Sequence, residues 1–134
     1  MPLDPNADPT ILHVNDILDP FAPGPRDRLM LNLKEDRERI EALLDKLLAI
    51  YNLDTRKNLP IQICTGAAMA AAKELLADRG GKVLVFATNY CSKGVGKLKS
   101  RDDPKHYNTP EEKKIFAHTA EHNFFGLIGT QALK

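Results

Sequence analysis

The chain has 134 residues, 43% of them hydrophobic and 28% charged, within the range of soluble globular proteins and of a size for one domain. Such a length can bury about 65–70% of the surface exposed on unfolding, so a stable core is possible. With 19 Lys and Arg against 18 Asp and Glu, the net charge of +1 does not point to recognition of nucleic acid or membrane through bulk charge, and leaves room for a local basic patch.

Six of the nine prolines lie in the first thirty residues, so this part reads as irregular, with a short strand expected at residues 11–14. The start is acidic and proline-rich and lacks the apolar core of a signal peptide. No apolar run approaches the ~20 residues of a membrane span, and the expected compartment is the cytosol.

Ile40, Leu43, Leu44, Leu47, Leu48 and Tyr51 recur at helical spacing and predict an amphipathic, core-facing helix. Asn32 with Glu35 three residues on resembles a capping-box start. A second, alanine-rich helix is expected from near Pro60 to the Gly80-Gly81 stop. The uninterrupted apolar run Val83, Leu84, Val85, Phe86 and Ala87 then reads as a strand buried on both faces. Helix, glycine turn and buried strand set the expected class as α/β.

Residues 89–108 lack periodicity and read as a long basic loop, which in a compact domain is usually functional or mobile. Thr109-Pro110-Glu111-Glu112 restarts helix, with a cap, a first-position proline and acids at the positive end of the dipole. Thr119 is the expected cap of a terminal helix whose apolar side is Phe124, Phe125, Leu127 and Ile128. One strand at residues 83–87 and a weaker one at 11–14 are too few for a doubly wound sheet. The expectation is therefore an incomplete domain over residues 1–134.

Several chemistries can be weighed against the residues. A phosphate-loop reading of residues 91–98 fails at two fixed positions, because Cys91 replaces the first glycine and Leu98 the magnesium-binding Ser or Thr. Cys91 follows a strand end, where nucleophiles often sit, yet nothing fixes a base beside it. Cys64 and Cys91 form no C-x-x-C pair, which disfavours a disulfide-stapled fold. His118 and His122 are four apart, but the helix start between them breaks their shared face. Asp102-Asp103 could open a magnesium site, though adjacent loop aspartates more often pair with nearby cations. No cofactor or metal is expected.

The charge cluster is more telling: Lys93, Lys97, Lys99, Arg101 and Lys105 put five cations into thirteen residues, offset by two aspartates. It is either a solvated loop or a docking site for an acidic peptide or phosphorylated group.

Three stretches, in order, carry a family resemblance. They are Asp16-Ile17-Leu18-Asp19-Pro20-Phe21 with Arg28 to Leu33, the alanine-rich helix running into Gly80 to Phe86, and Gly94-Val95-Gly96-Lys97-Leu98-Lys99-Ser100-Arg101-Asp102-Asp103-Pro104-Lys105. Over about residues 11–128 the chain resembles the trunk domain of the COPII vesicle-coat cargo-adaptor subunit, the Sec-twenty-four type. The resemblance implies a von Willebrand factor A-like (Rossmann-like), mainly parallel sheet flanked by helices. It implies a binding module and not an enzyme, working in ER-to-Golgi transport at ER exit sites and on vesicle membranes as a peripheral component. The implied partners are the sister GTPase-activating coat subunit and the cytosolic, often acidic, export signals of membrane cargo; nucleic acid is not among them. Lys97, Lys99 and Arg101 match positions where the family carries basic residues near a cargo pocket. The alternative is a small α/β enzyme using the loop after Phe86 for nucleotide or acyl chemistry. An adhesion-type domain with a metal site is disfavoured, because its Asp-x-Ser-x-Ser signature is absent.

Overall fold

Ala, Leu, Glu and Lys dominate both long periodic segments, and both become helices. In the computed structural model, which describes residues 10–51 and 61–133, the chain divides into two units. The described part of the first comprises residues 10–14, 22–51 and 61, that of the second residues 15–21 and 62–133.

In the first unit, α1 (Arg26–Leu29) is a single turn started by Pro25. The longer α2 (Arg37–Ile50) begins later than the capping box at Asn32 and Glu35 predicts. Asp36 explains the shift: its carboxylate accepts the Asn32 amide at 2.9 Å and pairs with Arg39 at 3.1 Å. These bonds hold residues 32–36 as a turn, and the helix starts after it. The leucine stripe of α2 is not the buried face expected, since Leu44 and Tyr51 are exposed and Leu48 is 74% exposed. Its unit supplies, among the described residues, only the one-turn α1 as another helix.

In the second unit, α3 (Thr65–Leu76) covers the alanine-rich segment; the expected start at Pro60 lies outside the described residues. Its end follows the glycine rule, with Gly80 at φ +66 and its amide donating to the Leu76 carbonyl at 2.9 Å. A 3-10 turn at Pro110–Glu112 leads into α4 (Lys113–Phe116), and another at Ala120–His122 leads into α5 (Asn123–Ala132). Both restarts fall where Thr109 and Thr119 predict them. The Thr109 hydroxyl oxygen accepts the Glu111 amide at 3.3 Å, and Thr119 closes a capping box with His122. Lys73 on α3 donates to Gln131 on α5 at 2.6 Å, tying the two helices near their C-terminal ends.

Residues 83–87 overturn the expected fold class. An extended run becomes a strand only when a neighbour takes up its amides and carbonyls. Among the described residues none does so: Val83, Leu84 and Val85 are exposed, and Phe86 is 93% exposed. Residues 11–14 likewise form no strand. The α/β class, with its von Willebrand factor A-like parallel sheet, is therefore corrected. The described residues contain helices and irregular chain, and no strand or sheet.

Candidate functional site

Residues 91–98 fold back on themselves around one thiol. Cys91 is 3% exposed, and its sulfur accepts the Gly66 amide at 3.5 Å while facing the carbonyls of Lys93 at 3.3 Å and Val95 at 3.7 Å. The amides of Ser92 and Lys93 both donate to the Ile63 carbonyl, at 2.8 and 3.1 Å. Val95 donates to Ile17, Lys97 to Gly94, and Leu98 back to Cys91 at 2.8 Å. Phosphate cradles need amides that point outward. Five amides of this loop are spent on carbonyls, so the nucleotide reading loses its physical basis. Among the described residues the buried thiol is bonded only to backbone and to no basic side chain, which leaves the acyl-transfer reading without support as well.

Beyond Leu98 the chain runs between two cavities. The larger, about 440 Å³, is lined by Lys99, Ser100, Arg101, Asp102, Glu121 and His122, among others. The smaller, about 350 Å³, shares Ser100, Arg101 and Asp102 and adds Asp103, His106 and Lys114.

Of the three basic residues singled out from the sequence, two meet here. Lys99 is 78% exposed at its side chain and stands 4.0 Å from the Glu121 carboxylate, a loose, solvated pair. Arg101 is half-buried, and its Nη1 donates to the carbonyls of Lys114 at 3.2 Å and Ala117 at 2.5 Å. It thereby caps the C-terminal end of α4, where backbone carbonyls lack intrahelical partners. Lys97 is exposed, lines neither cavity, and its ammonium group has no partner among the described residues.

The acids around them are already engaged. Asp102 accepts a hydrogen bond from the Tyr107 hydroxyl, which raises the Tyr107 pKa. Asp103 caps the 3-10 turn Pro104–His106 by accepting the Lys105 amide at 3.0 Å. A magnesium site at Asp102-Asp103 has no support from such an arrangement. The Glu121 carboxyl is held below the usual carboxylate range, first by a hydrogen bond with the Thr119 side chain and its own backbone, then by Lys99 and His122.

His118 and His122 have ring centroids 5.2 Å apart, but His122 Nδ1 is taken up by the Thr119 amide at 3.1 Å. That nitrogen serves the cap and not a metal. Sequence reasoning does not single out Glu121 or Lys114 for this site. The Thr119 cap was the available signal for Glu121, because its side chain hydrogen-bonds that carboxylate two positions on and so holds it in the first turn after the cap.

The family model for the Sec23/Sec24 trunk domain matches residues 3–133. A protein transport protein SEC24 of Pyricularia oryzae is 34% identical over 112 residues, covering 84% of this chain and 11% of the relative. The protein transport protein Sec24A of Homo sapiens is 36% identical over 106 residues, 79% of this chain and 9% of the relative. The protein transport protein SEC24 A of Arabidopsis thaliana is 33% identical over 129 residues, 96% of this chain and 12% of the relative. The chain belongs to the Sec23/Sec24 trunk-domain family, on its Sec24-type side. It spans about a tenth of the length of these relatives, none of which is named as an enzyme. No solved structure matches it.

Proposed function

We propose that the chain acts within a COPII-type vesicle coat, in the cargo-adaptor subunit, and that it works by binding and not by catalysis. Its ligands are the acidic export signals of membrane cargo, held through Lys97, Lys99 and Arg101; its partner in assembly is the sister GTPase-activating subunit. The setting is the cytosolic face of the ER, where the assembled coat is peripheral to the membrane.

The observation that carries this reading is Lys99. It is exposed, it lines a cavity with Arg101, and its link to Glu121 is long enough for an incoming carboxylate to replace it. Lys97 adds a second uncommitted cation two residues away. Arg101 contributes differently. One arm of its guanidinium holds α4, so it shapes the wall as well as adding charge. Carboxylates bound this way gain charge-assisted hydrogen bonds worth more than neutral ones. Individual contacts at so open a surface are weak, and a polymerised coat strengthens them by presenting many at once.

The test uses the full-length adaptor. Reversing Lys97 and Lys99 to Glu weakens an acidic signal peptide in a direct titration and leaves co-assembly with the sister subunit unchanged. Peptide affinity equal to that of the unaltered adaptor overturns the site.

A further inference from the structure

Ser100 is the residue between the two cavity cations in sequence, and its hydroxyl is uncommitted. The side chain is exposed, it lines both cavities together with Arg101, and it makes no hydrogen bond to any described residue. Other nearby hydroxyls are already used: Ser92 Oγ accepts the Ile63 amide at 2.8 Å, and Thr109 Oγ1 donates to the His106 carbonyl at 2.7 Å. Residues 97–103 form neither helix nor strand, and no backbone hydrogen bond of Ser100 itself to a described residue has to break for a kinase to reach its exposed hydroxyl.

The flanking charges also have a pattern. Lys97 and Lys99 precede Ser100 at three and one positions and are exposed. The aspartates that follow are turned to local work, Asp102 with Tyr107 and Asp103 with the Lys105 amide. The determinants open to a partner are therefore the cationic ones.

We propose that Ser100 is a phosphorylation site for a basic-directed Ser/Thr protein kinase, and that its phosphate closes the cationic cavity to acidic ligands. In the transfer, Ser100 Oγ attacks the γ-phosphorus of ATP. The Oγ–P bond forms, the bond to the bridging oxygen of the β-phosphate breaks, ADP departs, and the hydroxyl proton passes to the kinase's base. The product carries nearly two negative charges and three acceptor oxygens beside Lys99 and the remaining N–H groups of Arg101. Nε and Nη2 of Arg101 have no partner among the described residues, so they are available to it. A tethered dianion then occupies the groups that an acidic peptide would use. The blocking effect rests on the reading given under Proposed function; the modification and its pairing with Lys99 do not.

The experiment has two readouts. The chain is incubated with a basic-directed kinase and ATP, and the modified position is mapped by fragmentation. One phosphoryl group on Ser100, absent in Ser100→Ala, is expected; an unmodified Ser100 overturns the proposal. Phosphoserine is then installed genetically at position 100 and titrated by ³¹P resonance. Pairing with Lys99 lowers the second phosphate pKa below that of a reference phosphoserine peptide, and Lys99→Ala moves it back. A phosphate that titrates like the reference overturns the pairing. In a parallel titration with an acidic signal peptide, the phosphorylated chain binds about tenfold or more weakly than the unmodified one; equal affinity overturns the blocking role. If the unmodified chain does not bind the peptide at all, the acidic-signal reading fails, while the ³¹P result still decides the pairing.

Discussion

Gly66 lies against Val95 so closely that a Cβ added to the glycine would collide with the Val95 carbonyl oxygen, with the Phe124 ring 3.1 Å away. The N-terminal end of α3 can therefore receive the 91–98 loop only if position 66 has no side chain. The Gly66 amide then reaches the Cys91 sulfur.

Two effects compete on replacing Gly66 with Ala. Helix propensity favours Ala by about 1 kcal/mol, while overpacking against rigid backbone costs about 1–3 kcal/mol or more. The clash is with a carbonyl that cannot rotate away, so it wins, and Gly66→Ala lowers stability in denaturant unfolding. Gly126→Ala is the control, because a Cβ there meets nothing within 4 Å, and it raises stability by roughly 0.5–1 kcal/mol.

Phe86 gives the sharpest check on the absence of a sheet among the described residues. At 93% exposure its ring contributes almost no burial, so Phe86→Asp changes unfolding stability by no more than about 0.5 kcal/mol. A ring in the centre of a buried strand would instead cost about 3–5 kcal/mol on removal. Urea or thermal unfolding of the variant distinguishes the two.

Glu121 predicts a pH dependence with a definite sign. Its folded pKa is depressed, so its contribution to stability is present above the ordinary carboxylate pKa and is lost as pH falls through the lower folded value. Carboxyl-resonance titration shows the low midpoint directly. Because the Thr119 hydrogen bond is the larger cause and Lys99 a smaller one, Thr119→Ala raises that midpoint more than Lys99→Ala does.

Helices, caps and the loop core differed in how far they could be read from the sequence. The alanine-rich helix, the Gly80 stop and the Thr109 and Thr119 restarts are local signals, and each is satisfied by bonds within a few residues. The start of α2 was not legible, because Asp36 and Arg39 offered a better arrangement than Asn32 and Glu35. Residues 83–87 and the stripe of α2 were misread for one reason: apolar pattern reports what a segment could bury, and burial needs a neighbour. At the site, the basic residues were legible as a cluster by composition. Only coordinates could show Arg101 bound to the end of α4, Lys97 standing apart from both cavities, and Glu121 facing Lys99.

The contact between Lys99 and Glu121 also supplies the most direct test of acidic-ligand binding. If Lys99 exchanges Glu121 for a ligand carboxylate, the two residues act in opposite directions on the affinity of one acidic signal peptide. Lys99→Glu weakens binding through like-charge repulsion, and Glu121→Gln strengthens it by removing the internal competitor, each by a few-fold to about tenfold. Affinities that move together, or do not move in either variant, would contradict a cationic docking site at this cavity.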